Sequence, residues 1–195
     1  MRLICVLFVN VLRPFERTDV PTLRRWMNDP DVTEYLMRSM PIGEREEEEW
    51  LDNLHHRTQD ITLAIIDVDG KKLIGSIGLH MINWQHRNAT TGTVIGEKEC
   101  WGKGYGTEAK MLLLDVAFNT LDLFGVLSRV HAVNGRSLAY AKKCGYEEVG
   151  RIPLWSRLKN GQRCDEVLLA VTQEKWRPLW ERYLRERDMS TGMQA

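Results

Sequence analysis

The sequence has no excess of charge of either sign, because 27 lysine and arginine residues balance 27 aspartate and glutamate residues in a chain of 195. A neutral chain lacks the electrostatic signature of a protein dedicated to nucleic acid or to an anionic membrane, so we expect neither partner. The balance conceals an uneven distribution. Residues 1–100 carry 12 basic and 16 acidic side chains, whereas residues 101–195 carry 15 and 11.

Cysteine is scarce as well. Cys5, Cys100, Cys144 and Cys164 are widely separated, and no two of them have the CxxC spacing. So few and so scattered thiols are not typical of a disulfide framework or a zinc ribbon. We therefore expect reduced cysteines in a cytoplasmic protein and no metal site.

Long apolar runs are also missing, since none approaches the roughly 18 residues of a membrane-spanning helix. The apolar residues 3–9 are few, and no small-residue cleavage site follows them, so a signal peptide is not favoured. We predict a buried first strand that ends before Pro14. The chain is 43% hydrophobic, which is enough for a packed core. We expect one domain over residues 1–188 and a flexible tail at 189–195.

The spacing of apolar residues changes from a period of two to a helical period near the middle of the chain. Two helices are predicted to begin near residues 18–21 and 43. The other predicted elements are strands at 61–67, 72–84 and 89–96, a helix at 104–121, a strand at 127–133, a helix at 136–143, strands at 146–152 and 166–171, and a helix at 173–187. This order predicts an α/β protein with one mixed sheet.

A glycine-rich loop is the most informative segment. Gly102, Gly104 and Gly106 alternate at the predicted junction between a strand and the long helix. Glycine lets the backbone approach a ligand, and the first N–H groups of a helix are unpaired and lie at its positive end. The loop is therefore a candidate pyrophosphate cradle, with an ordinary glycine-rich turn as the alternative. Its spacing matches neither a Walker A loop nor the GxGxxG dinucleotide fingerprint.

The loop Trp101–Gly106 resembles the acetyl-CoA loop Q/R-x-x-G-x-G/A of the GCN5-related N-acetyltransferases (GNAT). Within that superfamily it is similar to the ribosomal-protein alanine acetyltransferase branch, where tryptophan is common in the first position. A second segment, from Asn134 through Ser137 and Lys143 to Tyr146, is similar to the family pattern N-x-x-A/S…K-x-G-F/Y with the same interval from Asn to Gly. The resemblance spans roughly residues 10–177.

The resemblance implies a twisted mixed sheet flanked by helices, in which two parallel strands splay apart and the pantetheine arm of acetyl-CoA lies between them. Backbone groups near Val94 and Ile95 are expected to pair with that arm and to hold the acetyl carbonyl. Asn134 is expected either to contact the arm or to cap a helix. The residues implied to bind acetyl-CoA are Val94, Ile95, Gly96, Trp101, Gly102, Lys103, Gly104, Tyr105, Gly106, Thr107, Asn134, Ser137 and Lys143.

The family's usual catalytic groups are missing from their expected places. The fourth strand contains threonines where a glutamate base is typical, and position 141 is alanine where a tyrosine acid is typical. The candidates that take their place are His131, then His80, with Tyr140 as an acid; for each histidine a structural role is the alternative. Glu97 and Glu99 are expected to be solvated.

The acceptor amine is the least determined part of the prediction. Residues 44–49 contain five carboxylates, which would attract a polycation such as a polyamine or an aminoglycoside, or would simply stabilise the start of a helix. Candidate acceptor contacts are Tyr35, Glu46, Glu47, Trp84 and Trp155. The α-amine of a protein N-terminus is an alternative acceptor, an acyl-CoA sensor without turnover is an alternative function, and a homodimer is possible.

Overall fold

The computed structural model describes residues 5–6, 10–36, 40–54, 56, 58–69 and 71–192. Most of the strand predicted at 3–9 lies outside these residues. The strands are β1 (Cys5–Val6), β2 (Asn10–Arg13), β3 (Ile61–Asp67), β4 (Lys72–Asn83), β5 (Asn88–Ile95), β6 (Gly125–His131), β7 (Glu147–Arg157) and β8 (Arg163–Thr172). The helices are α1 (Val20–Met27), α2 (Glu44–Leu54), α3 (Tyr105–Asp115), α4 (Gly135–Lys143) and α5 (Gln173–Gly192).

The predicted elements are present, with shifted ends. The long helix predicted at 104–121 is α3 followed by a π-helical turn at Val116–Thr120. Strands β7 and β8 are longer than predicted, because they pair with each other across the hairpin at Asn160 and Gly161. Helix α5 continues to Gly192 and so includes part of the segment predicted to be a flexible tail.

The eight strands form one mixed sheet in the order β1-β2-β3-β4-β5-β6-β8-β7. Every neighbouring pair is antiparallel except β5 and β6, which are parallel. These two strands pair only from Asn88 to Thr90 on β5 and from Gly125 to Leu127 on β6. Beyond that point both strands continue without pairing to each other, so a gap opens in the centre of the sheet. We call it the β5–β6 gap.

Helices cover both faces of the sheet. Side chains alternate between the two faces along each strand, so each face presents apolar side chains that the helices bury. Helices α1 and α2 pack on the face that carries Ala64 and Ile66, which we call the α1–α2 face. The main core lies on the opposite face, the α3–α4 face, and joins residues such as Ile77 and Leu79 to Leu112 of α3 and Trp176 of α5. The strand registers place residues 78, 80, 92, 129 and 131 on the α1–α2 face.

Helix α1 is fixed against the end of β5 by a buried carboxylate. Glu97 is only 3% exposed and accepts hydrogen bonds from Trp26 Nε1 at 2.9 Å, from Lys72 Nζ at 2.8 Å and from the Arg25 guanidinium. Burial raises the pKa of this carboxyl, but the three donors outweigh burial and hold it at about 2. The expectation that Glu97 is solvated is therefore wrong, because α1 folds over it.

Candidate active site

The loop that precedes α3 has the backbone of an anion cradle. Gly102 and Gly104 have φ angles of +76° and +94°, which residues other than glycine adopt only with strain. Gly104 is the N-cap of α3, and the loop at residues 102–104 is exposed. The first amides of α3, at Tyr105, Gly106 and Thr107, have no acceptor within the helix. The loop can therefore hold the pyrophosphate of a nucleotide at the positive end of α3.

Gly106 lies where the loop meets the β5–β6 gap. A Cβ placed on Gly106 would lie 3.7 Å from the side chain of Ile95, so the start of α3 sits directly above the end of β5. A ligand whose phosphates occupy the loop would thus continue into the gap. Lys103, in the same loop, is exposed and able to approach those phosphates.

Trp101 connects the loop to β5. Its indole Nε1 donates a 2.7 Å hydrogen bond to the backbone carbonyl of Ile95. The guanidinium carbon of Arg136, at the start of α4, lies 4.4 Å from the centroid of the Trp101 ring, which is a cation–π contact. Trp101 thus bridges the two predicted cofactor segments, although the sequence indicated no contact between them.

The backbone of β5 refines the predicted contacts to the pantetheine arm. Gly96 N donates to the Ile74 carbonyl of β4, and backbone groups of successive strand residues point in opposite directions within the sheet. Ile95 and Thr93 therefore direct their N–H and C=O groups toward the β5–β6 gap, whereas Val94 directs its groups toward β4. The predicted contact through Val94 does not fit this alternation.

Gly96 is also not a groove residue. A Cβ on Gly96 would lie 1.9 Å from the ring of Trp26, so α1 covers this glycine completely. Its N–H is already bonded to Ile74. The structure assigns Gly96 to the packing of α1 and not to the binding of acetyl-CoA.

Asn134 begins α4 as a helix cap. Its side-chain oxygen accepts a 3.0 Å hydrogen bond from the backbone N–H of Ser137. This confirms the capping role, and it leaves the side-chain amide of Asn134 as the group able to reach a ligand. Lys143 lies at the other end of α4, where its side chain is exposed.

On the α1–α2 face, His80 lies beside the closed end of the gap. His80 pairs with Thr90, the last residue of β5 that pairs with β6. Its Nε2 is 3.7 Å from the point where a Cβ on Gly92 would be, so the ring lies over a strip of backbone without side chains. His80 Nδ1 is 3.6 Å from Asp60 Oδ1, and the His80 side chain is 38% exposed. A histidine that lies next to a carboxylate and is open to solvent is a suitable general base.

His131 lies farther along the gap. It is the last residue of β6, four residues beyond the last paired residue Leu127, or roughly 13 Å at about 3.3 Å per strand residue. Its ring makes an edge contact with Tyr35, with centroids 6.2 Å apart, and its Nδ1 is buried without a hydrogen-bond partner among the described residues. Two residues predicted independently, His131 and Tyr35, are thus neighbours.

On the α3–α4 face, Tyr140 reaches the gap from α4. The side chain is partly buried, and its interaction with Thr93 of β5 places the hydroxyl beside the gap. Burial raises the pKa of Tyr140 to about 12, although Thr93 acts in the opposite direction. Tyr140 occupies this place even though it precedes by one residue the position of the family's tyrosine, because both Tyr140 and the buried Ala141 face the sheet.

The other predicted acceptor residues are dispersed. Glu46 is exposed on α2, whereas Glu47 is 4% exposed and turned into the protein, so it is not a surface contact. Trp84 lies in the turn between β4 and β5, where its Nε1 is 3.4 Å from the Thr58 carbonyl. Trp155 is 59% exposed on β7, which is an edge strand of the sheet and is separated from β5 by β6 and β8. The structure does not bring Trp84 and Trp155 into one site.

Sequence reasoning missed two residues of this region, Asp60 and Lys110. Asp60 precedes β3 and gave no signal, because its partner His80 is brought to it only by the pairing of β3 with β4. Lys110 did carry a signal. It lies within the apolar face of α3, three residues before Leu113, where a charged side chain is unusual.

Comparisons with known proteins agree with this geometry. Residues 11–147 match the family model described as the acetyltransferase (GNAT) domain. The chain is 27% identical over 165 residues to the spermidine N(1)-acetyltransferase of Escherichia coli K12, covering 85% of this chain and 87% of that protein. It is 25% identical over 169 residues to an uncharacterised N-acetyltransferase, p20, of Bacillus licheniformis, covering 85% of this chain and 93% of that protein.

A solved structure shows the same arrangement of elements. The spermidine N-acetyltransferase of Vibrio cholerae, crystallised with CoA and spermine, superposes with a TM-score of 0.79 at 26% identity, covering 86% of this chain and 97% of that one. The chain belongs to the GNAT family and is an N-acetyltransferase that uses acetyl-CoA. Its fold is the predicted mixed sheet with splayed parallel strands. The match is to the GNAT domain as a whole, so the ribosomal-protein alanine branch stays a prediction.

Two further observations concern the described part of the chain. None of its helices is long and apolar enough to cross a membrane. Among these same residues, no three histidine, cysteine, aspartate or glutamate side chains are grouped so that they could hold a metal ion.

Proposed function

We propose that this chain transfers the acetyl group of acetyl-CoA directly to a primary amine of a polyamine, with spermidine as the type of acceptor. The observation that carries the proposal is the β5–β6 gap, which has an anion cradle at one end and a half-exposed histidine, His80, at the other. The relatives named as spermidine N-acetyltransferases support this choice of acceptor. The predicted alternatives, a protein N-terminus and a sensor without turnover, have no comparable support.

The described residues fit acetyl-CoA. The loop at 102–107 offers consecutive amides to the pyrophosphate, and the groups of Thr93 and Ile95 that face the gap can pair with the amides of the pantetheine arm. The Ile95 carbonyl already accepts from Trp101 beside the loop, so the Thr93 N–H, which lies nearer the closed end and His80, is the group proposed to polarise the acetyl carbonyl. Ser137 and Lys143 of α4 are proposed contacts to the nucleotide end.

His80 is the proposed base, ahead of His131. A polyamine amine with a pKa near 10.4 is mostly protonated at neutral pH and must lose a proton before it attacks the thioester. His80 lies at the closed end of the gap with Nε2 toward Gly92, and Asp60 faces its other nitrogen. His80 accepts the proton directly or through water, and Asp60 stabilises the imidazolium that forms. His131 and Tyr35 are assigned to the wall of the acceptor site.

Negative charge on the α1–α2 side favours a cationic acceptor. Asp60 lies 3.6 Å from His80 Nδ1, and Glu34 lies next to Tyr35 and interacts with its hydroxyl. Glu46 and Glu48 are exposed on α2. On the α3–α4 side, helix α4 carries Arg136, Lys142 and Lys143 and no acidic residue. The opposite charges of the two sides suit an anionic cofactor and a cationic amine.

The test is an acceptor panel in which the release of CoA is followed with a thiol reagent. We expect turnover with spermidine and spermine, and little turnover with peptides that begin with Ser or Ala. In the double variant Glu46→Lys/Glu48→Lys, the KM for spermidine should rise a few-fold at low salt and converge with wild type at high salt. Binding of acetyl-CoA without turnover on any amine, or turnover on the peptides alone, would contradict the proposal.

A further inference from the structure

Trp101 and Arg136 are in contact across the open end of the β5–β6 gap. Trp101 belongs to the loop that follows β5, and Arg136 lies in the first turn of α4, which follows β6. The guanidinium carbon of Arg136 is 4.4 Å from the centroid of the indole ring. The contact therefore joins the two segments that border the gap, and a ligand that runs from the glycine loop into the gap must pass beside it.

The hydrogen-bond donors of Arg136 are available to a ligand. The residue is exposed, and within the part of the chain that the structure describes no carboxylate or carbonyl accepts a hydrogen bond from its guanidinium. A guanidinium that lies over an aromatic ring keeps its N–H groups free, because they point outward in its own plane. The Trp101 ring thus holds the charge in place without using its donors.

The position of Arg136 in α4 favours an anion as its partner. Arg136 lies two residues after Asn134, the N-cap of α4, and is therefore at the positive end of the helix dipole. The first turn of α4 contains no acidic residue that could compensate its charge. The contact with Trp101 stabilises Arg136, but its place at a helix start does not. An anion bound there would be stabilised by the side chain and by the dipole together.

The glycine loop has little positive charge of its own. From Trp101 to Thr107 the sequence contains one charged side chain, Lys103. The pyrophosphate of acetyl-CoA is a doubly charged anion, and the amides at the start of α3 contribute only partial charges. A second cation beside the loop would complete the neutralisation. Arg136 suits this role, because a guanidinium can donate two parallel hydrogen bonds to the oxygens of a phosphate.

Arg136 also lies near the proposed wall of the acceptor site. Burial raises the pKa of the Tyr35 hydroxyl, and the charge of Arg136 acts on it in the opposite direction. Tyr35 in turn contacts His131. An arginine at this place could in principle serve the cofactor or the acceptor. A polyamine is itself cationic and is repelled by a guanidinium, so the anionic cofactor is the partner that the charges favour.

We propose that Arg136 binds the pyrophosphate of acetyl-CoA, and that the Trp101 ring holds the guanidinium beside the glycine loop before the cofactor arrives. This inference goes beyond the proposed function, since it concerns the cofactor and is independent of the acceptor. The amides of residues 102–107 hold the phosphates from the α3 side, and the N–H groups of Arg136 donate to phosphate oxygens from the α4 side. The bound cofactor thereby joins the starts of the two helices.

The first test compares the Kd of acetyl-CoA with that of acetyl-dephospho-CoA, which lacks the 3′-phosphate, by isothermal titration without any acceptor. In Arg136→Met we expect the Kd of both ligands to rise about 10- to 30-fold, because the charge-assisted hydrogen bonds to the pyrophosphate are lost. Lys142→Met, which removes an exposed lysine of the same helix, is the matched control and should bind both ligands as wild type does. An unchanged Kd in Arg136→Met would overturn the proposal. A rise for acetyl-CoA alone would also overturn it, since the contact would then be to the 3′-phosphate.

The second test examines the role of the Trp101 ring by a double-mutant cycle. Trp101→Leu removes the ring, so adding Arg136→Met to it should raise the Kd of acetyl-CoA much less than Arg136→Met does alone. Equal effects in the two backgrounds would show that the ring does not position the guanidinium. The thermal midpoint of Arg136→Met without ligand should stay within a few degrees of wild type, which separates lost binding from lost folding.

Steady-state kinetics distinguish this inference from the choice of acceptor. If wild type acetylates no polyamine while the Kd of acetyl-CoA still depends on Arg136, the proposed acceptor is wrong and the role of Arg136 stands. If Arg136→Met raises the KM for spermidine and leaves the Kd of acetyl-CoA unchanged, Arg136 belongs to the acceptor side and the inference is wrong.

Discussion

Trp101 Nε1 donates a hydrogen bond to the backbone carbonyl of Ile95, and this contact joins the phosphate-binding loop to the strand that lines the β5–β6 gap. The same indole ring stacks against the Arg136 guanidinium of α4. A residue that the family pattern places in the loop thus also determines which backbone groups of β5 stay available to a ligand. Trp101 holds the carbonyl of Ile95 and leaves its N–H toward the gap.

Replacement of Trp101 by Phe is expected to weaken the binding of acetyl-CoA. The ring and its stacking remain, but the hydrogen bond to Ile95 is lost, which is worth about 1 kcal/mol, or roughly a fivefold rise in Kd. Isothermal titration with acetyl-CoA measures it. Trp84→Phe, in the exposed turn before β5, is the control and should bind as wild type does. Equal affinities for all three proteins would show that this hydrogen bond does not support the loop.

Replacement of His80 by Gln is expected to lower kcat about 10²- to 10⁴-fold at neutral pH, because the variant has no base for the acceptor amine. Asp60→Asn should have a smaller effect on the rate and should move the acid limb of the kcat/KM profile to lower pH, since the imidazolium loses a nearby carboxylate. His131→Gln is the comparison and should mainly raise the KM for the amine. If His131→Gln loses kcat and His80→Gln does not, the two assignments must be exchanged.

Gly96→Ala is expected to destabilise the protein by about 3 kcal/mol, the upper part of the range for overpacked cores. The new Cβ would lie 1.9 Å from the ring of Trp26, which Glu97 holds in place by a hydrogen bond. Gly106→Ala is the matched control, because its Cβ would have an ordinary 3.7 Å contact and a better helix propensity. Denaturant unfolding compares the two. A Gly96→Ala variant as stable as Gly106→Ala would show that α1 can move away from β5.

Glu97 is expected to make stability depend on pH in acid. Its pKa in the folded protein is about 2, below the ordinary 4.5, so the carboxylate stabilises the fold above about pH 4.5. This contribution is lost as the pH falls from 4.5 through 2. Glu97→Gln should therefore be less stable at pH 7 by about 2–4 kcal/mol and should lose less stability on acidification than wild type. Thermal unfolding between pH 2 and 7 measures it. Parallel pH curves for the two proteins would contradict this assignment.

The order of elements was predictable because local patterns determine it. The alternating glycines at 102, 104 and 106 marked the start of α3, and the apolar spacing marked the helix itself. Asn134 could be recognised as the start of α4 for the same reason, since a cap bonds to a backbone N–H only three residues away. These features depend on residues that are neighbours in sequence.

Contacts between distant segments were not predictable. Glu97 looks like a solvated turn residue until α1, 71 residues earlier in the chain at Trp26, folds over it. His80 and His131 could not be ranked, because their distances from the closed end of the gap follow from strand register. Val94 and Ile95 looked equivalent, although backbone alternation turns only Ile95 toward the gap.

The charges of the chain show most clearly what the sequence determines and what the tertiary structure determines. The sequence by itself determined that 27 positive and 27 negative residues are present, that acidic residues are in excess in the first half, and that a glycine loop begins the central helix. Only the tertiary structure decided which of these charges are buried, paired or open to a ligand. Burial and hydrogen bonding depend on the packing of separate elements, and that packing places Glu97 under α1, Asp60 against His80, and Lys110 at the point where β5 and β6 part.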